Sequence, residues 1–276
     1  MAITAQDVNK LRQMTGAGMM DCKKALTEAE GDFDKAIELL RKKGQKVSAS
    51  RADRETTEGV VVTRTSEDNT KGIAIALTCE TDFVAKNNDF VGLANTAADL
   101  AFENMPADVE ALKALSAGDI SLGEKIIEMT GKIGEKIDIS VYEVMEGEAI
   151  VPYIHSNGKL AVMVALKNVN GADVEEAGKD VAMQIAAMNP VAVDKEGVDP
   201  SVIEKEIEIG KEQARQEGKP EQILEKIAQG KLQKFFKENT LLSQAFVKDN
   251  SLNIQQYLDG VSKGLTVASF KRIAIG

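Results

Sequence analysis

The spacing of apolar residues along the chain changes character several times, and each change marks an expected element. Residues 3–44 read as three short helices. Ile3 and Val8 flank Thr4 as the N′ and N4 positions of a hydrophobic staple around an N-cap. Leu11 and Met14 continue that face, and Thr15-Gly-Ala-Gly18 breaks it. Met19, Cys22, Ala25, Leu26 and Ala29 then recur at helical spacing as far as Gly31. Asp32 caps a third helix with Phe33, Ala36, Ile37 and Leu40 on its face and Gly44 as its stop. A bundle of this size has a small core and is marginal by itself. Residues 45–57 lack apolar periodicity and read as a polar linker with room for a helical turn or two.

From Gly59 the period becomes that of strands. Val60-Val-Val-Thr-Arg-Thr65 and Ile73-Ala-Ile-Ala-Leu-Thr78 are separated by turn-forming residues and predict a hairpin. Asn88 is placed to cap a helix with Phe90, Val91, Ala94, Ala97, Ala98 and Ala101 inward; helical material continues to about Met129, and Ile137, Ile139, Val141 and Val144 predict another strand. The pattern then recurs: Ala149-Ile-Val-Pro-Tyr-Ile154, a Ser-Asn-Gly-Lys turn, Leu160-Ala-Val-Met-Val-Ala-Leu166, and a helix carrying Val174, Ala177, Val181 and Ile185. Strand, turn, strand and helix thus occur twice, about ninety residues apart. The reading is an α+β protein whose two related subdomains, residues 58–146 and 147–276, each carry a small antiparallel sheet under helices. Within the second, residues 199–237 are charged, with narrow stripes of Val202, Ile203, Ile207 and Ala214, then Ile223, Ile227 and Leu232, on either side of a Gly/Pro turn. That predicts a protruding antiparallel coiled-coil hairpin. Residues 238–276 pack back through Phe246, Val247, Leu252, Ile254, Leu258, Val261 and Val267.

Composition narrows the function classes. The 276 residues are 43% hydrophobic, enough for two or three compact units. The longest apolar run, Leu160 to Leu166, is too short to span a bilayer, and the N-terminus carries neither a basic region nor an apolar core of a secretory signal. The expectation is a cytoplasmic protein in a reducing compartment, with Cys22 and Cys79 as buried small hydrophobes rather than reactive thiols. A net charge of -10 disfavours general nucleic-acid binding, and 4% aromatics with no Trp leaves no base-stacking platform. The basic run of Arg41, Lys42, Lys43, Lys46, Arg51 and Arg54 reads as a solvated linker, with an anionic contact as the alternative. One histidine, His155, leaves little for His-based catalysis or a metal site. Gly16-Ala-Gly18 is followed by no Gly-Lys-Ser/Thr, so it is not a phosphate-binding loop. Composition therefore leans toward a protein that works by binding proteins, without a catalytic residue, metal or cofactor of its own.

Two strings identify a family. Leu11-Arg-Gln-Met-Thr-Gly-Ala-Gly-Met-Met-Asp-Cys-Lys-Lys-Ala-Leu26 and Cys79-Glu-Thr-Asp-Phe-Val-Ala-Lys-Asn87 resemble, in order and spacing, the two signature segments of bacterial-type elongation factor Ts; Leu242-Ser-Gln-Ala-Phe-Val-Lys-Asp249 is similar to its C-terminal segment. The likeness spans the whole chain. Thr78 departs from it, standing where the family usually shows Asn. The resemblance implies a nucleotide exchange factor that takes GDP from elongation factor Tu. It implies that Thr81, Asp82, Phe83 and Val84 form the loop that docks on the Tu G domain, with Phe83 as a wedge and Asp82 acting near the magnesium region. It further implies partner contacts at Arg12, Met19 and Met20, at His155, at Gly134, on the hairpin and on the C-terminal segment.

Alone, Phe83 would read as a core residue, Asp82 as a strand-end cap, Arg12 as a solvated helix position and His155 as a loop residue; the motifs are what make them contacts. Met19 and Met20 cannot both face so small a core, so at least one is expected at the surface. Two other classes compete. Residues 1–44 also resemble a ubiquitin-associated-type domain, which suits a protein-binding adaptor or chaperone-like module, but an adaptor has no need of Thr-Asp-Phe. An enzyme would have to be built on Cys79, Glu80 and His155.

Overall fold

The computed structural model describes residues 3–276 and is an α+β protein. Three helices open the chain: α1 (Ala5–Thr15), α2 (Met19–Glu28) and α3 (Phe33–Ser50). Thr4 caps α1 as expected, in a reciprocal capping box with Asp7, and Gly16 closes it in the left-handed conformation at φ 65°. Val8, Leu11, Cys22, Leu26 and Ala36 form the small buried cluster between them. Met14 and Met19, expected on the inward stripes, are instead more than half exposed, because Leu11 and Cys22 already fill the space.

Gly44 does not end α3. The helix continues to Ser50 and takes in the first residues of the stretch read as a linker. Gly44 is buried where α3 crosses α7 (Leu122–Ile133). A Cβ on Gly131 of α7 would lie 2.6 Å from Gly44 Cα, so both positions lack side chains because the two backbones touch. The basic run is largely neutralised inside the chain: Arg41 pairs with Glu128, Lys42 with Glu38, Lys43 with Asp21 and Arg51 with Glu80.

Strands β1 (Glu58–Thr65), β2 (Lys71–Cys79) and β3 (Asp138–Glu146) form one antiparallel sheet in the order β1-β2-β3. Between β2 and β3 lie α4 (Asp82–Ala85), α5 (Asn88–Asn104), α6 (Val109–Ala114) and α7. The cap of α5 is Asn87, one residue before the expected Asn88, and Leu93 rather than Val91 completes its buried face. The second sheet is the expected repeat: β4 (Ala149–Ile154), β5 (Leu160–Lys167) and, from the end of the chain, β8 (Thr266–Ala274), in the order β4-β5-β8. Helix α8 (Glu175–Met188) covers it, together with α11 (Ile254–Val261).

The two sheets pack face to face, and the sequence of the central strands shows how. In β2, Ile73, Ile75 and Leu77 point toward α5 and α7, whereas Ala74 and Ala76 point toward the other sheet. In β5, Val162, Val164 and Leu166 point toward α8, and Ala161, Met163 and Ala165 meet the first sheet. Both strands are buried on both faces. Large side chains fill the space under helices, and alanines let the sheets approach. Each fully buried Ile or Leu contributes roughly 1.5–3 kcal/mol.

Helices α9 (Pro200–Gln216) and α10 (Glu221–Asn239) form the expected antiparallel hairpin. Its seam keeps Ala214 and Leu232 of the predicted stripes and adds Gly210, Leu224 and Ala228, while Ile223 is exposed. A Cβ on Gly210 would come within 3.1 Å of Ala228 Cα, so close contact of small residues sets the seam. Ion pairs Lys211–Glu225 and Arg215–Glu221 cross it. After the hairpin, β6 (Ala245–Phe246) and β7 (Asp249–Asn253) form a small ribbon. Phe246, Ile254, Leu258 and Val267 are buried as expected, but Val247, Leu252 and Val261 are exposed; at Val247 and Lys248 the ribbon is held to α8 by polar contacts with Gln184 and Asp180 instead.

Ala76→Leu is expected to lower stability by about 1–3 kcal/mol by forcing the sheets apart, read as a lower urea midpoint with an unchanged slope. Replacing residues 201–238 by a short Gly/Ser loop is expected to leave a cooperative thermal unfolding transition within a few degrees of the parent. A body that fails to fold would show the hairpin to be part of the core.

Candidate functional site

The string from Cys79 to Asn87 begins where β2, the most enclosed strand of its sheet, leaves the core. Cys79 is buried, and burial, then the nearby Glu135 charge, pushes its thiol up to about 12. A thiol so protonated is no nucleophile at neutral pH. Thr78, the residue that departs from the family pattern, is buried too; its hydroxyl bonds that of Thr56 at 2.9 Å and donates to the Asp138 carbonyl.

Glu80 is tied down. Its carboxylate accepts from Arg51 at 2.9 and 3.1 Å and from the Lys136 amide at 2.7 Å. Burial works against its charge, yet those donors hold the carboxyl below the usual range. Thr81 follows as the N-cap of the single turn α4, but its hydroxyl does not cap the helix. Instead its backbone N–H donates to Glu135 Oε2 at 3.0 Å and its hydroxyl to Glu135 Oε1 at 2.7 Å.

From this anchored base the turn presents Asp82 and Phe83 outward. Phe83 is 83% exposed, an extreme value for a phenylalanine on an ordered helix. Asp82 pairs with Lys86 one turn on, at 2.7 Å, and the hydrogen bond from Lys86 holds its carboxyl below the usual range. Val84, expected beside them on the contact surface, lies in the core with Ala85. On a helical turn Val84 points about 100° away from Phe83, here into the core, so it is the root of the loop and Phe83 its tip.

The other expected residues lie around this point. Gly134 ends α7 at φ 83°, where a Cβ would meet nothing within 4 Å, and directly precedes Glu135. The α1–α2 turn, bounded by Arg12 and by Met19 and Met20, is seated on the last turn of α7: Lys132 packs its tip on Gly16 and pairs with Asp89 at 2.6 Å. Arg12 is exposed, and Met19 and Met20 both are, at 56% and 63%. His155 is exposed in the β4–β5 turn, its Nδ1 2.9 Å from the Tyr153 hydroxyl. That turn is fastened to the same end of β1 that pairs with Cys79, through Lys159–Glu58 at 3.0 Å and the Val61 amide on the Gly158 carbonyl.

Of the residues holding this arrangement, Asp89, Lys132, Glu135 and Lys136 carry no local sequence signal, while Glu80 stands inside the motif and Arg51 in the basic run without either pairing being visible. Their bonds join positions from 29 to 84 residues apart. A cleft of about 490 Å³ lies between α3, the α1–α2 turn and α7; Arg41–Glu128 and Lys43–Asp21 already pair across its lining charges. Among the described residues no group of three His, Cys, Asp or Glu could hold a metal ion, and no helix is long and apolar enough to cross a membrane. The surface thus carries an exposed aromatic on a clamped turn, an ionised carboxylate beside it and, on the helix that follows the α1–α2 turn, two exposed methionines.

A family model described as elongation factor TS matches residues 80–276. The chain is 59% identical to the elongation factor Ts of Amoebophilus asiaticus over 276 residues, with all of both chains covered. It is 61% identical to that of Cytophaga hutchinsonii over 274 residues and 43% identical to that of Chlorobium phaeobacteroides over 284, each with 99% of both chains covered. The relatives span the N-terminal helices that the family model leaves out. The chain belongs to the elongation factor Ts family.

Proposed function

We propose that this protein is the guanine nucleotide exchange factor for elongation factor Tu, acting in the cytoplasm without covalent chemistry, cofactor or metal of its own. The observation that carries this reading is Phe83, 83% exposed on a turn whose base is clamped on both sides. Exposing an aromatic has no value for the isolated fold, and aromatics of this kind dominate protein interfaces.

Exchange requires only differential binding. A factor that grips nucleotide-free Tu better than Tu·GDP shifts Tu toward the open form. By reciprocity it weakens GDP by the same factor that GDP weakens it. Phe83 enters the Tu G domain as a wedge, and Asp82 competes for the partner's magnesium or its ligands. Thr81 belongs to this loop as its anchor. Arg12, Met19 and Met20 grip the G domain alongside, methionine being well suited to an adaptable contact. Gly134 permits close backbone approach, and His155 marks the border of the same surface on the second subdomain. The hairpin and the C-terminal ribbon, where Val247 and Leu252 are exposed, supply further contact area.

The test is stopped-flow release of a fluorescent GDP from elongation factor Tu of the same organism. The protein is expected to accelerate release in proportion to its concentration. Phe83→Ala is expected to lower the rate about ten- to thirty-fold, the loss typical of an interface hot spot, and Asp82→Ala to lower it further in combination. Unchanged rates in a folded Phe83→Ala protein would refute the wedge. Neither Cys22 nor Cys79 is expected to react with Ellman's reagent at pH 8 until the protein is denatured; fast labelling of native Cys79 would reopen a thiol-based activity.

A further inference from the structure

We infer that Glu135 is a positioning residue for nucleotide exchange: its carboxylate clasps Thr81 and holds the Phe83 turn in the conformation that does work on the partner. The inference rests on the exchange-factor reading above.

The geometry is unusual for a helix start. A Thr at an N-cap normally turns its hydroxyl to the free amides of the first turn. Thr81 does not; its hydroxyl and its own N–H donate in parallel to the two oxygens of one carboxylate, at 2.7 and 3.0 Å. A four-residue helix has little intrinsic stability. Phe83 is one residue inside it and exposed, and on the outer side only the solvent-exposed Asp82–Lys86 pair braces the turn. What fixes it is the clasp at Thr81 in front and the burial of Val84 and Ala85 behind.

Glu135 is in turn held in place. It follows Gly134, whose left-handed conformation reverses the chain at the end of α7. It precedes Lys136, whose amide donates to Glu80 and whose ammonium donates to the carbonyls of Ala52 and Arg54. The short segment from Lys132 to Lys136 therefore bonds α5, the Phe83 turn and the chain leaving α3 all at once. A wedge transmits force only if its base does not yield, and displacing bound GDP and magnesium opposes it throughout. The clasp should thus matter for the maximal rate of exchange more than for the first encounter with the partner.

The experiment measures fluorescent-GDP release from elongation factor Tu across a range of factor concentrations. It compares the parent with Glu135→Ala and Glu135→Gln, and follows amide hydrogen exchange at Thr81, Ala85 and Lys86, the turn's hydrogen-bonded N–H groups. Gln can still accept from the Thr81 amide through its oxygen and donate to the Thr81 hydroxyl through its nitrogen. Glu135→Ala is expected to cut the saturating rate on the order of ten-fold, the loss of both hydrogen bonds to Thr81. Its half-saturating concentration should change much less, its unfolding stay cooperative, and its turn amides exchange faster. Glu135→Gln is expected to recover most of the rate, which a merely charge-driven effect would not. A folded Glu135→Ala protein with the parent's saturating rate, or turn amides as protected as the parent's, would overturn the clasp. If the parent itself fails to accelerate release, the exchange-factor reading falls and the role of Glu135 with it.

Discussion

Everything in this fold is referred to two strands that have no face left for water. β2 and β5 lie in the middle of their sheets, with helices behind each and the other sheet in front. Such a strand can accept large side chains on one side only if the other side is thin, and alternation of Ile with Ala in β2 meets that condition. The sheets then pack closely, and the strands cannot shift register without driving every isoleucine into the alanine layer. The Phe83 turn leaves the end of one of these strands. Its root inherits the immobility of the core, and its tip is exposed.

A second constraint seats the N-terminal helices. Gly44 and Gly131 bring α3 and α7 into backbone contact, and the charged segment from Lys132 to Lys136 fastens the surroundings of that crossing. The α1–α2 turn and the Phe83 turn, more than sixty residues apart in sequence, are thereby fixed to one helix end. The family signatures are two separate strings because the chain reaches this place twice.

Much of this was legible in the residues. The staple at Ile3, Thr4 and Val8, the two strand-turn-strand-helix units and the helical hairpin all followed from period and turn chemistry, since local preference and tertiary demand agree there. Sequence reasoning failed where a residue's meaning is set by something distant. Gly44 reads as a helix stop, and only the presence of Gly131 across the contact makes it a crossing point. Met14 and Met19 fit an inward stripe by spacing, but a core of seven small and medium residues was already full. In the site, the motif pointed to Asp82 and Phe83, yet it could not separate the exposed tip from the buried Val84, nor reveal Glu135, whose bond to Thr81 spans 54 positions.

The seam of the α9–α10 hairpin has a dynamic consequence. Gly210, Ala214 and Ala228 let the helices lie close, but they bury little apolar area, and the ion pairs that cross the seam are exposed to solvent. Stability in a protein is graded, and elements with few buried apolar atoms open in partial events far below the cost of global unfolding. The hairpin belongs to that low-energy end, the doubly covered strands to the opposite one. The molecule therefore combines a stiff anvil and a compliant arm in one chain, each made so by the size of the side chains at its closest contacts.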